Sequence, residues 1–410
     1  MVLEHKVMWI EGMFLRPHHF QQQDRRAESM LTARIAALQP FFWGFSRIEL
    51  DEKALAIGKV ALTACEGAFP DGLPFAFPGD TALIEPLELD QTVTNQTVWL
   101  VAPALSEGAR IGFELASDGP PLDARYAIKT REVANALDDG AGPELLKLGE
   151  TNLRLQIGTR PPQGFEALPL VRVREVTPDR RVVLEEGFFP PVLSADVAAD
   201  LYRSVAEIAG LFEVRAEHLA GRQSAVRGTS STARDQFLLL QLCNGWGARL
   251  RQIRDMRRIH PSELHRDLVE AAAELATFTR PDTLRPPPLP AYDHDDLTTT
   301  FTPVLEELRR SLGFLGEQKA VPIELEFSRK YRIYHNRAIE GTLFEGARFI
   351  LVARAAMLED EFRQNLPRRV SIGSTAEIMD IIGAAERSVP LRPLNAFPPD
   401  ISHQAGWTCF

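Results

Sequence analysis

The spacing of apolar residues changes twice along this chain, and these changes constrain the fold more than any other feature. Up to about residue 190, apolar residues recur at every second position in short runs, which is typical of β-strands. After Phe188-Phe189-Pro190-Pro191 the period becomes 3.6, as in amphipathic helices. From Ala320, alternation returns beside short helical stretches. The pattern predicts a multidomain α+β protein with domains at residues 1–191, 192–317 and 318–410.

The first segment is expected to form an antiparallel β-sandwich. Alternation is clearest at residues 47–50, 98–101, 153–157 and 171–173. Turns rich in Pro, Gly and Asp separate these runs, and no strand–helix–strand rhythm is visible. A short inserted helix is expected between Glu132 and Gly149.

The second segment is expected to form a four-helix bundle, because four apolar stripes at helical spacing follow one another. These stripes run from Leu201 to Leu219, from Phe237 to Ile253, from Leu264 to Phe278 and from Leu297 to Leu312. The loop Gly228–Thr232, which is rich in Ser and Thr, is predicted to end in a helix N-cap. It has no lysine and does not match a phosphate-binding loop.

The third segment is expected to form a small mixed α/β domain. Strands are predicted at Val321–Phe327 and Arg348–Arg354, and short helices near Leu358–Asn365 and after Ser374. The spacing of Ser374 and Glu377 matches a capping box at the start of the last helix.

Composition excludes several classes of protein. The 410 residues include 45% hydrophobic and 25% charged residues, as in soluble globular proteins, and no apolar run reaches the roughly 18 residues of a membrane span. With no secretory signal at its N-terminus, the protein is expected in the cytoplasm without membrane insertion. A net charge of −10 argues against general binding to nucleic acids or anionic membranes. Cys65, Cys243 and Cys409 lie far apart, which predicts reduced thiols.

The most specific stretch runs from Met8 to Gln23. An apolar run predicts a strand up to a turn at Gly12, and a helix is predicted after Arg16-Pro17. Proline fits the first turn of a helix because its missing N–H would have no partner there. Apolar residues continue at helical spacing through Met30, Leu31, Ile35 and Leu38, and the helix should end at Gln39-Pro40.

As a string of residues, this stretch resembles the opening of the bacterial type VI secretion baseplate family TssK, also called ImpJ/VasE. Phe41–Gly44, Phe69–Phe75 and Pro390–Leu394 agree in the expected order, so the resemblance runs nearly end to end. It implies an N-terminal shell, a helical neck and a C-terminal head, similar to phage receptor-binding proteins. Chains of this family usually continue further, so the third domain is expected to be incomplete.

The resemblance also implies a non-enzymatic structural adaptor without cofactors. Three copies would assemble through the β domains and the bundle. The shell would dock on the wedge proteins TssF and TssG, and the head would bind the cytoplasmic parts of TssL and TssM at the inner membrane. Nine residues of the opening stretch are candidates for a baseplate-partner contact or for a block that folds the shell: Trp9, Glu11, Met13, Phe14, Leu15, Arg16, His18, Phe20 and Gln21.

Two other functions are alternatives to the adaptor. A phage-tail-like receptor- or glycan-binding protein would expose aromatic residues in its head, where Trp407, Tyr331 and Tyr334 give weak support. A hydrolase would need convergent titratable residues, and GxSxG, HExxH and GxGxxG motifs are absent.

Three local patterns suggest chemistry but favour structural roles. His5, His18 and His19 could suggest a metal site, yet adjacent helical side chains diverge by about 100°. Tyr292–Asp296 has the residue types of a metal or acid–base site, but Asp295 or Asp296 is better placed to cap a helix. The arginine run Arg249–Arg258 is expected to pair with the acidic residues of the next helix, Glu263, Asp267, Glu270 and Glu274, rather than with nucleic acid.

Overall fold

The structure is a computed structural model, and it describes most of the chain. The described residues are 3–105, 111–114, 124–137, 142–225, 231–280, 282–314, 323, 325–336, 348–357, 359–374, 377–384, 388–394, 397–398, 401 and 407–410. The chain divides into two compact units. The first contains Met1–Gly210 and Trp246–Ser311, and the second contains Leu211–Gly245 and Leu312–Phe410. The three predicted domain ranges remain a prediction.

The N-terminal part of the first unit is built mainly from strands. These are β1 (Gly44–Leu50), β2 (Lys59–Val60), β3 (Leu62–Ala68), β4 (Pro74–Phe77), β5 (Leu87–Glu88), β6 (Thr94–Pro103), β7 (Gly112–Glu114), β8 (Tyr126–Val133), β9 (Glu144–Thr151), β10 (Arg154–Gly158), β11 (Phe165–Val176) and β12 (Val182–Leu184). All four runs of clearest alternation lie in strands, apart from Leu153, which directly precedes β10, so those predictions are confirmed.

The described strands form sheets in the orders β1-β3-β4, β10-β6-β11-β12, β7-β8-β9 and β2-β5. The pairs are antiparallel except β7 and β8, which run parallel, so a purely antiparallel arrangement is a wrong prediction there. In the sequence, β7 ends at Glu114 and β8 begins at Tyr126. This separation is much longer than the two residues of a tight hairpin, so the two strands need not run in opposite directions. No described residue between Glu132 and Gly149 is helical, and β8 and β9 pair at Val133 and Glu144, so the expected helix is wrong for these residues. Residues 138–141 of this range lie outside the described residues.

The core of this β-rich part is formed by the apolar residues that alternate along its strands. Phe45 of β1, Cys65 of β3, Leu100 of β6 and Leu168 of β11 are fully or almost fully buried. Polar neighbours on the same strands, such as Arg47, point outward. Cys65, Cys243 and Cys409 are all buried free thiols, as predicted.

Eight α-helices are described: α1 (Pro17–Leu38), α2 (Glu52–Leu55), α3 (Ala199–Ala225), α4 (Ser231–Met256), α5 (Pro261–Thr279), α6 (Leu297–Phe314), α7 (Glu359–Arg369) and α8 (Ile378–Ala384). The four stripes predicted to be helical correspond to α3 to α6. Residues 228–230 of the predicted Ser- and Thr-rich loop lie outside the described residues, and its last two residues belong to α4, which begins at Ser231.

Helix α5 illustrates why these residues form helices. Pro261 occupies its first turn, and the His260 side chain accepts a hydrogen bond from the Ser262 N–H. Leu264 and Leu268 lie one turn apart on a single face and are fully buried. Burying this face stabilises the helix more than its intrinsic propensity does.

Within the first unit, polar contacts join the four long helices in a closed ring. Between α3 and α4, the Tyr202 hydroxyl donates to the Arg254 carbonyl at 2.5 Å, and between α4 and α5, Arg249 pairs with Asp267 at 2.6 Å. Arg280, the C-cap residue of α5, pairs with Glu307 of α6 at 2.6 Å. Arg309 of α6 pairs with Glu207 of α3 at 2.8 Å, which closes the ring. Within this unit, each of the four helices thus contacts two neighbours.

The C-terminal residues of the second unit mix short strands with helices. Strands β13 (Glu326–Ser328) and β14 (Ile333–His335) form a hairpin, and β15 (Val352–Ala353) pairs with β16 (Thr408–Cys409). The β13 and β15 strands are shorter than predicted, and residues 321, 322 and 324 of the first predicted strand lie outside the described residues. One half of the predicted capping box is confirmed, since the Glu377 N–H donates to Ser374 Oγ at 3.3 Å. The Glu377 carboxylate accepts at 3.1 Å from the Ser374 hydroxyl and not, as in a full capping box, from the Ser374 backbone N–H.

Candidate protein-interaction surface

Residues 3–16 precede α1 and fold back along it. The Gln22 side-chain amide donates to the His5 carbonyl at 2.9 Å, and Arg26 donates to the Glu4 carbonyl at 2.7 Å. The Glu4 N–H in turn donates to Ser29 Oγ at 3.2 Å. No residue from 3 to 16 belongs to a strand, so the strand predicted before Gly12 is wrong. Side chains of α1 form the hydrogen bonds with this backbone that a neighbouring strand would otherwise form.

The start of α1 follows the sequence prediction. Gly12 turns the chain with a φ of +80°, and the Met13 N–H donates to the Ile10 carbonyl at 3.1 Å. Pro17 is the first residue of the helix. The Arg16 N–H donates to His19 Nδ1 at 3.1 Å, so the third helical residue caps the backbone of the residue before the helix.

The opposite side of α1 is apolar and exposed. At 3.6 residues per turn, Phe20, Leu31 and Leu38 lie within about 20° of one another around the helix. Gln22 and Arg26 lie about 120° to 180° away from them. Leu38 keeps 86% of its surface exposed, and no residue of α1 is buried. The periodicity of Met30, Leu31, Ile35 and Leu38 correctly predicts a helix, but it does not mark a core face.

The segment before the helix extends this surface. The Trp9 ring lies 6.2 Å from the His19 ring and 6.3 Å from the Phe20 ring, measured between centroids. Phe14 is 80% exposed. Leu3, Met8, Ile10 and Leu15 are exposed as well. We call the exposed apolar side chains of residues 3–38 the α1 surface.

The structure brings the nine predicted site residues together at the start of the α1 surface. Trp9, Phe14, Leu15 and Phe20 supply exposed apolar side chains, and Met13 is half-buried. The polar members Glu11, Arg16, His18 and Gln21 are exposed around them. Sequence reasoning missed Leu31, Ile35 and Leu38 as members of the same surface. Their signal was present as helical periodicity, but periodicity does not tell which element covers a face.

The attached side of α1 contacts a turn of the β-rich part. A Cβ atom on Gly72 would lie 2.6 Å from Thr32 Oγ1, so only glycine permits this approach of the turn to the helix. Asp71 in the same turn pairs with the buried Arg125 guanidinium, which also donates to the Pro103 carbonyl at 3.1 Å. The turn belongs to the stretch Phe69–Phe75, which is part of the family resemblance.

The other candidate sites have structural partners. The Asp296 carboxylate accepts from the Thr299 N–H at 3.0 Å and caps α6, as predicted. Asp295 accepts from the Trp43 indole N–H at 3.0 Å. Arg249 pairs with Asp267 on the next helix, again as predicted. Among the described residues, no group of three or more His, Cys, Asp or Glu side chains is arranged to hold a metal ion.

In the part of the chain that the structure describes, no helix is both long and apolar enough to cross a bilayer.

Comparison with known proteins decides the family. Residues 19–410 match a family model described as bacterial type VI secretion, VC_A0110, EvfL, ImpJ, VasE. The chain belongs to the ImpJ/VasE family. A relative from Pseudomonas aeruginosa PAO1, the type VI secretion system baseplate component TssK1, is 35% identical over 99% of this chain and 90% of its own length.

Solved structures of this family have the same fold. A crystal structure of TssK superposes with a TM-score of 0.72 at 30% identity and covers 99% of this chain and 91% of the TssK chain. A chain of the TssK-TssF-TssG baseplate subcomplex, solved by cryo-electron microscopy, gives a TM-score of 0.65 at 22% identity and covers 75% of this chain and 99% of its own. The α+β architecture is therefore that of the ImpJ/VasE family.

Proposed function

We propose that this protein is a non-enzymatic structural adaptor of the type VI secretion baseplate, which links the TssF/TssG wedge to the TssL/TssM inner-membrane complex. The observation that carries the proposal is the α1 surface. A helix of 22 residues without one buried side chain, continued by an exposed apolar segment, is unusual in a soluble monomer. Such surfaces are covered by partner proteins.

The wedge is the partner that we assign to the α1 surface. The relative from P. aeruginosa is named a baseplate component, and the solved complex contains TssF and TssG beside TssK. The surface offers Trp9, Phe14 and Phe20 as apolar anchors, with Arg16 among them. Both residue types are enriched at protein interfaces. Aromatic side chains bury a large area with few rotatable bonds, and the arginine side chain carries several hydrogen-bond donors.

The proposed layout has three parts. Residues 1–191 form the shell, residues 192–317 the neck and residues 318–410 the head, as in phage receptor-binding proteins. The ring of contacts among α3, α4, α5 and α6 supports the neck. Three copies assemble through shell and neck, and the head binds the cytoplasmic parts of TssL and TssM. The protein thus lies in the cytoplasm and is held at the inner membrane by its partners.

Two measurements test this function. The mass of the purified protein in solution, measured by light scattering, should be near three times 45.8 kDa. The protein should also co-purify with TssF and TssG from the same bacterium. A monomer that binds neither protein would contradict the proposal.

Truncation separates the roles of the two ends. A chain ending at residue 317 should remain a trimer that binds TssF and TssG but should lose TssL and TssM. If this truncated chain aggregates, the third segment belongs to the common core. The proposed layout would then be wrong.

A further inference from the structure

The β13–β14 hairpin carries a cluster of cations at its tip. Its two strands are joined by Arg329, Lys330, Tyr331 and Arg332, and all four side chains are exposed. The Arg332 N–H donates to the Ser328 carbonyl at 2.7 Å, and this hydrogen bond closes the loop. Three positive charges therefore lie within four residues of a defined turn.

Aromatic rings surround these cations. Phe327 and Tyr334 face each other across the hairpin with ring centroids 5.0 Å apart, yet 52% and 69% of their surfaces stay exposed. Lys330 Nζ lies 4.9 Å from the centre of the Tyr331 ring, and this ring is also about half exposed. The cross-strand pair stabilises the hairpin and still leaves both side chains more than half exposed.

The cluster differs in sign from the rest of the protein. The chain has a net charge of −10, and among residues 325–336 Glu326 is the one acidic residue. Within the described part of the chain, no ion pair involves Arg329, Lys330 or Arg332. Because charges are screened beyond about 8 Å at physiological salt, the local charge governs what the hairpin attracts.

We propose that the hairpin tip, defined as Arg329–Arg332 with Phe327 and Tyr334, binds the surface of a bilayer that contains anionic phospholipids. The headgroup region accepts both halves of this cluster: phosphates pair with the cations, and tyrosine rings lie at the boundary between water and acyl chains. Each basic residue near such a surface strengthens binding by about fivefold. An acidic protein surface would also attract the cations, and binding to vesicles that contain no protein distinguishes the two.

This inference deepens the proposed function and rests on it, since it places the C-terminal segment at the inner membrane. The head would then contact lipid directly, beside TssL and TssM. The contact is peripheral and requires no inserted helix. It would orient the C-terminal end of the adaptor towards the bilayer.

The test is co-sedimentation of the full chain with vesicles of phosphatidylcholine, with and without phosphatidylglycerol. Binding should require phosphatidylglycerol and weaken as salt is added. The double variant Arg329→Glu/Lys330→Glu should lose at least about tenfold in binding. The variant Arg368→Glu/Arg369→Glu changes two exposed arginines of α7 and gives the same net charge, so it is the matched control and should keep most of the binding.

A second variant distinguishes lipid from other anions. Tyr331→Ala/Tyr334→Ala keeps the charge and should still weaken binding, because the rings contribute at the bilayer interface. Unchanged binding of this variant, equal losses in the two charge variants, or no binding to anionic vesicles would each overturn the inference. Co-purification with TssF and TssG is measured on the same proteins. If it persists while vesicle binding fails, the proposed function stands and the lipid contact alone is wrong.

Discussion

His294 donates a hydrogen bond from Nε2 to the carbonyl oxygen of Trp43 at 2.8 Å, although the two residues lie 251 positions apart. Its Nδ1 is 2.6 Å from the Tyr292 hydroxyl and can accept from it. His260 forms the equivalent bond to the Phe41 carbonyl at 2.8 Å, and the two imidazole rings stack at 5.3 Å. Two neutral imidazoles therefore join the Phe41–Gly44 stretch to the segments that begin α5 and α6.

Mild acid should weaken this junction. Burial lowers the pKa of His260 and His294, and for His294 the positive charge of His260 adds to this effect while Asp293 and Asp295 oppose it. A histidine with a lowered pKa binds fewer protons in the folded than in the unfolded chain. Its contribution to stability is thus present above the unfolded value of about 6.5 and is lost as pH falls through it.

Urea unfolding at about pH 7.5 and about pH 5.5 measures this effect. We expect a lower midpoint at the acidic pH and a smaller pH dependence in His294→Gln. The exposed His218 provides the control variant His218→Gln, which should keep the full pH dependence. A midpoint that does not fall with pH would contradict the assignment of neutral imidazoles.

The Glu307 carboxylate should stabilise the α5–α6 contact. It is only 4% exposed and accepts hydrogen bonds from Arg280 at 2.6 Å and from Arg310 at 2.7 Å. Burial raises its pKa, but the bonds to Arg310 and Arg280 outweigh burial and lower the pKa to about 2. Its contribution is present above about pH 4.5 and is lost as pH falls towards 2.

Glu307→Gln should lower the free energy of unfolding by about 2 kcal/mol at neutral pH, since both guanidinium groups lose their charged partner but remain partly solvated. Chemical denaturation measures the difference. Glu306→Gln, one position earlier on the exposed side of α6, should change stability by less than about 0.5 kcal/mol. Equal effects of the two substitutions would contradict a specific role for Glu307.

Gly44 should tolerate no side chain. Its φ is +118°, and a Cβ atom there would lie 2.8 Å from the Pro191 carbonyl oxygen, which accepts from the Phe45 N–H at 2.9 Å. Gly44→Ala should therefore lower the unfolding free energy by at least about 2 kcal/mol. Gly12 also has positive φ, but no described atom lies within 4 Å of its Cβ position, so Gly12→Ala should cost about 1 kcal/mol. The thermal unfolding midpoints of the two variants test whether Gly44→Ala is the more destabilising substitution.

Substitution to alanine should separate the core from the α1 surface. Phe301 is fully buried, with its ring 5.6 Å from the His265 ring, and Phe301→Ala should cost about 3–5 kcal/mol. Leu38→Ala should change stability by less than about 0.5 kcal/mol, because the Leu38 side chain is almost free of contacts. A large loss for Leu38→Ala would show that α1 is covered within the monomer, in disagreement with the structure.

Local sequence was sufficient for the four long helices of the second segment, for the first residues of α1 and α5, and for the start of the candidate surface. Pro17 and Pro261 mark the first residues of α1 and α5, and the Ser374 side chain caps the Glu377 N–H as predicted. These features depend on a few neighbouring residues, so a sequence contains their full cause. The nine opening residues lie together for the same reason, since Trp9 and Phe20 are joined by one turn and one helix start.

Features that depend on distant partners could not be predicted. The apolar run before Gly12 has the alternation of a strand but pairs with none, and Leu31 and Leu38 repeat at core spacing but remain uncovered. The parallel pairing of β7 with β8 and the bond from His294 to Trp43 likewise depend on how the chain returns to itself. Periodicity identifies a face; only the tertiary structure tells what lies against it.

The central claim is that the α1 surface contacts the wedge, and quantitative co-purification with TssF and TssG tests it most directly. We expect Phe14→Glu/Leu15→Glu to reduce wedge binding by at least about tenfold, since two apolar anchors become charged. Leu83→Glu/Leu137→Glu, two equally exposed positions elsewhere, should bind like the unaltered protein. If the Phe14 and Leu15 variant is folded, keeps its solution mass and binds the wedge undiminished, the α1 surface is not the docking site.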